Sequence, residues 1–162
     1  MNYIKITSFD TANGPGIRDV LWVAGCNHFC KECQNPETWD KYAGKAFDEK
    51  AMNRLMKELS EPFREGITFS GGDPLFPENR KIVTEIARKI YSELPTKSIW
   101  CYTGYLYEEV KDLEIMKYID VLVDGEFHIN EKDLTLVYCG SRNQRVIDIQ
   151  KTRNDGEIIL YC

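Results

Sequence analysis

The sequence predicts an α/β fold, with strands alternating with helices around a parallel sheet, and three observations carry that reading. Short apolar runs bounded by glycines recur along the chain. Between them, apolar residues return at helical spacing. Each unusual polar motif falls just after one of the runs. Taken in order, "RDVLWVAG" (18–25) is rich in Val, Leu and Trp and reads as a first strand. Phe47, Ala51, Met52, Leu55, Met56 and Leu59 then mark a helix, with Pro62 as its stop. "GITFSGG" (66–72) is a second strand, and Ile82, Val83, Ile86, Ala87, Ile90, Tyr91 and Leu94 form the clearest helical stripe in the chain. "KSIWCYTG" (97–104) is a third strand, followed by a weaker helix over Leu106, Val110, Leu113 and Met116. "YIDVLVDG" (118–125) is a fourth. Beyond it lie three strand-like pieces, "LTLVYCG" (134–140), "QRVIDI" (144–149) and "EIILYC" (157–162).

Alternating strands and helices imply right-handed crossovers, with helices covering at least one face of the sheet. In such folds active sites gather beyond the carboxyl ends of the strands. Here the segment "GCNHFCKEC" (25–33) follows the first strand, "GGDP" (71–74) the second, "TG" (103–104) the third and "DGE" (124–126) the fourth. The motifs therefore share one end of the predicted sheet. A complete eightfold barrel usually needs about 200 residues or more. The chain has 162, and only four clear strand–helix units, so the expected architecture is an incomplete, TIM-like βα barrel, laterally open. No repeat or low-complexity linker divides it, and residues 1–162 read as a single domain.

Composition narrows the function classes. Apolar residues make up 43% and charged residues 29%, ordinary for a soluble globular protein. The net charge of −5 argues against broad binding to nucleic acid or an acidic membrane surface, which calls for a basic face. No apolar run reaches the roughly 18–20 residues of a membrane span, and the first twenty residues lack a secretory apolar core. A cytoplasmic location is expected. In that reducing compartment clustered cysteines point to metal or redox chemistry more than to disulfides. Cys101, Cys139 and Cys162 are scattered, and read as small buried apolar residues.

Cys26, Cys30 and Cys33 have the spacing C-x3-C-x2-C. Two readings stay open on spacing alone. A zinc-stabilised binding module would need a fourth ligand, and His28 is the nearest, though it sits awkwardly between two cysteines, and no second ligand pair follows. An iron–sulfur cluster takes thiolates from short loops of this kind, and three thiolates would leave one iron free. "SGGDPL" (70–75) likewise has two readings. Glycines after a strand expose amide groups and let a ligand approach, with Asp73 accepting from an ammonium group. The alternative is an ordinary turn with Asp73 as its cap.

Together these segments resemble the radical S-adenosylmethionine enzymes, and more narrowly the activating proteins of anaerobic (class III) ribonucleotide reductases. The resemblance runs over nearly the whole chain. It rests on "DTANGPGIRDVLWVAGCNHFCKECQNPETWD" (10–40), on "SGGDPL", on "IDVLVDGEF" (119–127) and on "GSRNQRVID" (140–148). The last favours the reductase activases over those of pyruvate formate-lyase, which remain the alternative. Three departures stand out: Glu32 where an aromatic residue is frequent, "CYTG" (101–104) in place of "DTNG", and Glu126 where the formate-lyase activases carry Lys.

The resemblance implies a radical S-adenosylmethionine core fold and two cofactors. One is a 4Fe–4S cluster on Cys26, Cys30 and Cys33. The other is S-adenosylmethionine, whose amino and carboxylate groups bind the fourth iron. It further implies that Gly71, Gly72 and Asp73 receive the methionine ammonium, with Pro74 shaping the turn. Backbone groups at Glu32 and Gln34 would meet the adenine. Thr103 and Asp124 would contact carboxylate or ribose, although Asp124 reads equally as a solvated strand-end carboxylate. Asn13 and the GPG turn would shape the opening to the partner. The implied partners are the large subunit of the reductase, offering a glycine loop as substrate, and a low-potential electron donor such as flavodoxin. Reductive cleavage of the cofactor would yield the radical that takes hydrogen from that glycine.

Overall fold

The computed structural model describes residues 1–162. Its centre is a seven-stranded open sheet of order β3-β1-β2-β4-β5-β6-β7. The strands are β1 (Asn2–Asp10), β2 (Arg18–Val23), β3 (Lys45–Ala46), β4 (Gly66–Gly71), β5 (Ser98–Tyr102), β6 (Val121–Asp124) and β7 (Arg145–Asp148). The four strands expected from the sequence are the four central ones, β2, β4, β5 and β6, and they run parallel. Antiparallel strands flank them: β1 pairs with β2, and β7 with β6.

Crossovers carry α1 (Glu49–Leu59), α2 (Arg80–Glu93) and the one-turn α3 (Tyr107–Val110), and α4 (Ile149–Asp155) follows β7. Asp48 caps α1 by accepting from the Ala51 amide at 2.8 Å, and Leu55 and Leu59 on its inner face are fully buried. Val83, Ile86, Ala87 and Ile90 do the same for α2, so its stripe meets the sheet as the spacing predicts. The weaker third helix shrinks to one turn, followed by a 3-10 turn over Glu114–Lys117.

Side chains alternate between the two faces of the strands. Leu21, Val23, Ile67, Phe69, Ile99, Cys101 and Leu122 join the helices in the main core. Trp100, Val121, Val123 and Val146 form a smaller cluster elsewhere on the sheet, with Tyr102, Tyr138 and Cys139 packed on it. The rings of Tyr138 and Tyr161 each meet Trp100 edge-on at 5.0 Å.

Three expectations are corrected here. Residues 134–140 form no strand: Leu134 and Val137 are 87% and 57% exposed, so their apolar letters reflect no sheet face. Residues 157–162 make only an isolated bridge, Leu160 to Ile147. The GPG turn lies at the opposite end of the strands from the cysteines, because it leads into the first residue of β2, and Gly16 packs on Glu65 just before β4. Three elements were not anticipated. β1 mixes polar and apolar residues, β3 is only two exposed residues, and α4 begins at the Asp148 cap, within a stretch that reads as strand.

No helix is long and apolar enough to cross a membrane.

Candidate metal centre

Parallel register brings the polar motifs to one level. Val23, the last residue of β2, pairs with Gly71, the last of β4, so the cysteine loop and the "GGDP" turn leave the sheet side by side. The two backbones then run almost in contact. A Cβ on Gly71 would lie 2.6 Å from the Val23 nitrogen, and one on Gly72 would lie 2.5 Å from the Gly25 oxygen. Only glycine fits. This proximity also uses the amides that the sequence suggested were exposed. Gly72 N–H donates to Val23 O at 2.8 Å, and Asp73 N–H to Gly25 O at 2.7 Å. Asn79, which the sequence reading missed, adds a buried brace: its amide donates to Ala24 O and Asp73 O, both at 2.9 Å.

Cys26, Cys30 and Cys33 line one cavity of about 210 Å3. Their loop is tightly curled, with Phe29 (φ 50°) and Glu32 (φ 57°) in the left-handed region that non-glycine residues seldom occupy. Backbone groups surround the sulfurs. Those at His28 and Phe29 favour the Cys26 thiolate, that at Phe127 favours the Cys30 thiolate, and Asn35 N–H donates to Cys33 Sγ at 3.4 Å. Burial pushes the Cys26 thiol up to about 11 and raises Cys30 too, so both are neutral without metal, and metal binding there must displace protons.

The donor set fits an iron–sulfur cluster. All three thiols face one space, and amide groups stand ready to hydrogen-bond to sulfur, a main determinant of cluster potential. No three His, Cys, Asp or Glu side chains converge where a single ion could be held. A zinc ion needs that convergence; a cluster, with one thiolate per iron, does not.

Of the other predicted site residues, Gln34, Gly71, Gly72, Asp73 and Thr103 line the same cavity, and Asn13 reaches it too. Glu32, Pro74 and Asp124 do not. Glu32 is exposed, and Pro74 is buried inside its turn. Asp124 departs from both readings of it. It is fully buried, ion-paired with Arg145, and accepts from Tyr107 N–H at 2.8 Å. Arg145 reaches on to Glu108 at 2.8 Å, so this carboxylate ties β6 to β7 and α3. The adjacent Gly125 and Glu126 line the cavity instead.

Asp73 is a hub, 1% exposed. Its Oδ1 accepts from Leu75 N–H at 2.7 Å, and its Oδ2 from Gly104 N–H at 2.9 Å. Thr103 Oγ1 lies 2.9 Å from both oxygens. His28 Nε2 stands 2.7 Å from Oδ2, while its Nδ1 stands 3.0 Å from Glu126 Oε1. Burial alone would lower the His28 pKa, but its hydrogen bonds and charge interactions with Asp73 and Glu126 outweigh burial and raise it. Sequence reading considered His28 only as a metal ligand. Its partners are 45 and 98 residues away, and no local signal announces them.

A three-thiol loop beside a glycine-lined strand end, on a sheet with a parallel centre, defines an iron–sulfur protein. The chain accordingly matches, over residues 12–147, the family described as a 4Fe–4S single cluster domain. Closer relatives specify it further. It is 41% identical to the anaerobic ribonucleoside-triphosphate reductase-activating protein of Enterobacteria phage T4, over 90% of this chain and 93% of the relative. The proteins of the same name from Pasteurella multocida (strain Pm70) and Escherichia coli (strain K12) are each 39% identical. They cover 89% and 90% of this chain, and 95% and 97% of their own lengths. The chain belongs to the family of anaerobic ribonucleoside-triphosphate reductase-activating proteins.

Proposed function

We propose that this protein activates an anaerobic ribonucleoside-triphosphate reductase by generating a glycyl radical on it. The observation that carries the reading is the placement of three thiols, two close-packed glycines and a buried carboxylate around one cavity. In this reading residues 1–162 act as one cytoplasmic domain, and the open sheet is an incomplete, laterally open barrel that admits a loop of a folded protein.

Cys26, Cys30 and Cys33 would hold the 4Fe–4S cluster, and Asp73 would take the ammonium of S-adenosylmethionine. Gly71 and Gly72 set that carboxylate beside the cysteine loop. Thr103 reaches the cavity from β5, and Gln34 from the cysteine loop, as candidate contacts to the rest of the cofactor. A cluster held there would supply the low-potential electron for reductive cleavage of S-adenosylmethionine, the chemistry from which the radical on the reductase glycine would come. The protein's own part is to orient both cofactors and exclude competing reactions. The amides on the sulfurs and the partial burial of Cys26 serve that end. The electron donor would be a low-potential protein such as flavodoxin.

The test is anaerobic mixing of reconstituted, reduced protein, S-adenosylmethionine and the reductase, followed by electron paramagnetic resonance. A glycyl radical with one dominant α-hydrogen splitting is expected. With the target glycine deuterated at Cα, the label should appear in 5′-deoxyadenosine. Absence of transfer, with both cofactors shown to be bound, would leave a small-molecule enzyme as the better reading.

A further inference from the structure

The carboxylate of Asp73 has no free acceptor position. It carries about four lone-pair sites, and four groups already use them: the N–H groups of Leu75 and Gly104, the Thr103 hydroxyl and the His28 ring. Three of these donors cannot leave. Two belong to the main chain, and the third is a buried threonine at the end of β5. His28 alone sits on a side chain that can rotate away.

The ring also has somewhere to go. It lies in a slot over Gly104, where even a Cβ would come within 2.5 Å of His28 Cδ2. Its edge meets Tyr105 at a centroid distance of 4.6 Å. On its far side is a second cavity of about 590 Å3, lined in part by Glu126, Asn27 and His128. His28, Gly104, Gly125 and Glu126 border both cavities. The contact from Nδ1 to Glu126, whose side chain is 48% exposed, therefore runs along the wall between the two spaces. By volume the cysteine cavity alone, about 210 Å3, falls below the roughly 300–1,000 Å3 usual for cofactor-sized sites. The two together do not.

We propose that His28 is a latch on Asp73. It holds the carboxylate in the position that the ammonium of S-adenosylmethionine takes over, and cofactor binding swings the ring toward Glu126 and joins the two cavities. This rests on the reading that Asp73 receives the ammonium. His28 is thus a positioning residue that competes with the cofactor for one oxygen. The latch keeps a buried carboxylate satisfied while the cofactor is absent, since an unpaired one is costly. It also ties the cysteine loop to the ends of β4 and β6.

Competition gives a sign that a purely structural contact would not. S-adenosylmethionine binding is titrated anaerobically to the cluster-loaded, unreduced protein, with iron content measured for every variant. His28→Ala should tighten binding by several-fold to about tenfold, the net scale of one ordinary hydrogen bond. His28→Phe keeps a ring against Tyr105 but has no nitrogen for Asp73, and should tighten binding in the same direction. In an Asp73→Ala background, itself about ten- to a hundredfold weaker, His28→Ala should change nothing, because the two effects act through one contact. S-adenosylhomocysteine should show the His28 effect, and its des-amino analogue should not.

Weaker or unchanged binding in both His28 variants at full iron content would overturn the latch. So would loss of the cluster from both, which would make His28 a support of the loop. Either result leaves the Asp73 reading standing so long as Asp73→Ala weakens binding. Unchanged affinity in Asp73→Ala would overturn that reading itself.

Discussion

Arg18, at the N-terminal end of β2, and Asp73, beyond the C-terminal end of β4, are both charged side chains hidden from solvent, at 0% and 1% exposure. Their settings differ in one respect. Arg18 donates only to fixed neutral acceptors: the carbonyls of Pro15, Ile67 and Ser98 and the hydroxyls of Thr68 and Ser98, at 2.7–3.3 Å. Its guanidinium lies 5.6 Å from the centre of the Trp100 ring, and burial pulls its pKa down to about 10. Asp73 has three fixed partners and one that can rotate. A charge enclosed by main chain and strand hydroxyls joins strands together. A charge held partly by a side-chain ring on a cavity wall can exchange that ring for a ligand. On this comparison one end of the sheet is architecture and the other is chemistry.

The largest expected effect tests the chemical end. Cys26→Ala, Cys30→Ala and Cys33→Ala should each abolish the 4Fe–4S absorbance and cofactor cleavage, because no other thiol lines the cavity. Secondary structure by circular dichroism should persist, since none of the three lies in the hydrophobic core. A variant that kept full iron and sulfide would refute the three-thiolate assignment.

Next comes the architectural end. Arg18→Met leaves five contacts unmade. The Thr68 and Ser98 hydroxyls still donate to Asn13 O and Glu65 O. The carbonyls of Pro15, Ile67 and Ser98 therefore carry the loss, at about 1–3 kcal/mol for each one left unpaired. Part of that is offset because a buried cation need no longer be desolvated. A net loss of roughly 3 kcal/mol is expected in urea denaturation. The fraction that remains folded should load iron normally. Wild-type stability in this variant would mean that the guanidinium contributes nothing to joining β2, β4 and β5.

The same contrast explains what the sequence revealed. The central strands were legible because apolar runs between glycines match strands buried on both faces. α1 and α2 were legible from their stripes. β1 mixes exposed and buried positions, and the "VID" of β7 runs straight into the cap of α4, so neither boundary stood out. At the site the cysteines were legible by residue type and spacing. Asp73 was found, but not its partners, because a hub with donors from three chain segments exists only after folding. Asp124 shows the converse. Its place at a strand end suggested the cavity, yet Arg145, 21 residues on, claims it.

Cys101 offers the smallest and most pointed test, because it stands at the chemical end of the sheet and takes no part in its chemistry. It precedes Tyr102 and Thr103, both of which line the cavity, and it is near enough for the charge of Asp73 to raise its pKa. Burial is the larger cause of that rise, since the residue is 0% exposed and packed in the core beneath the helices. Strand alternation explains the separation: Tyr102 turns to the cavity and Cys101 to the helices. Cys101→Ala therefore removes one sulfur from an apolar core, which should cost about 1 kcal/mol of stability. Iron content, cluster absorbance and S-adenosylmethionine affinity should all match the wild type. A loss of iron from this variant would mean that a thiol on the helix face reaches the cluster, and the assignment of three cavity thiolates alone would have to be abandoned.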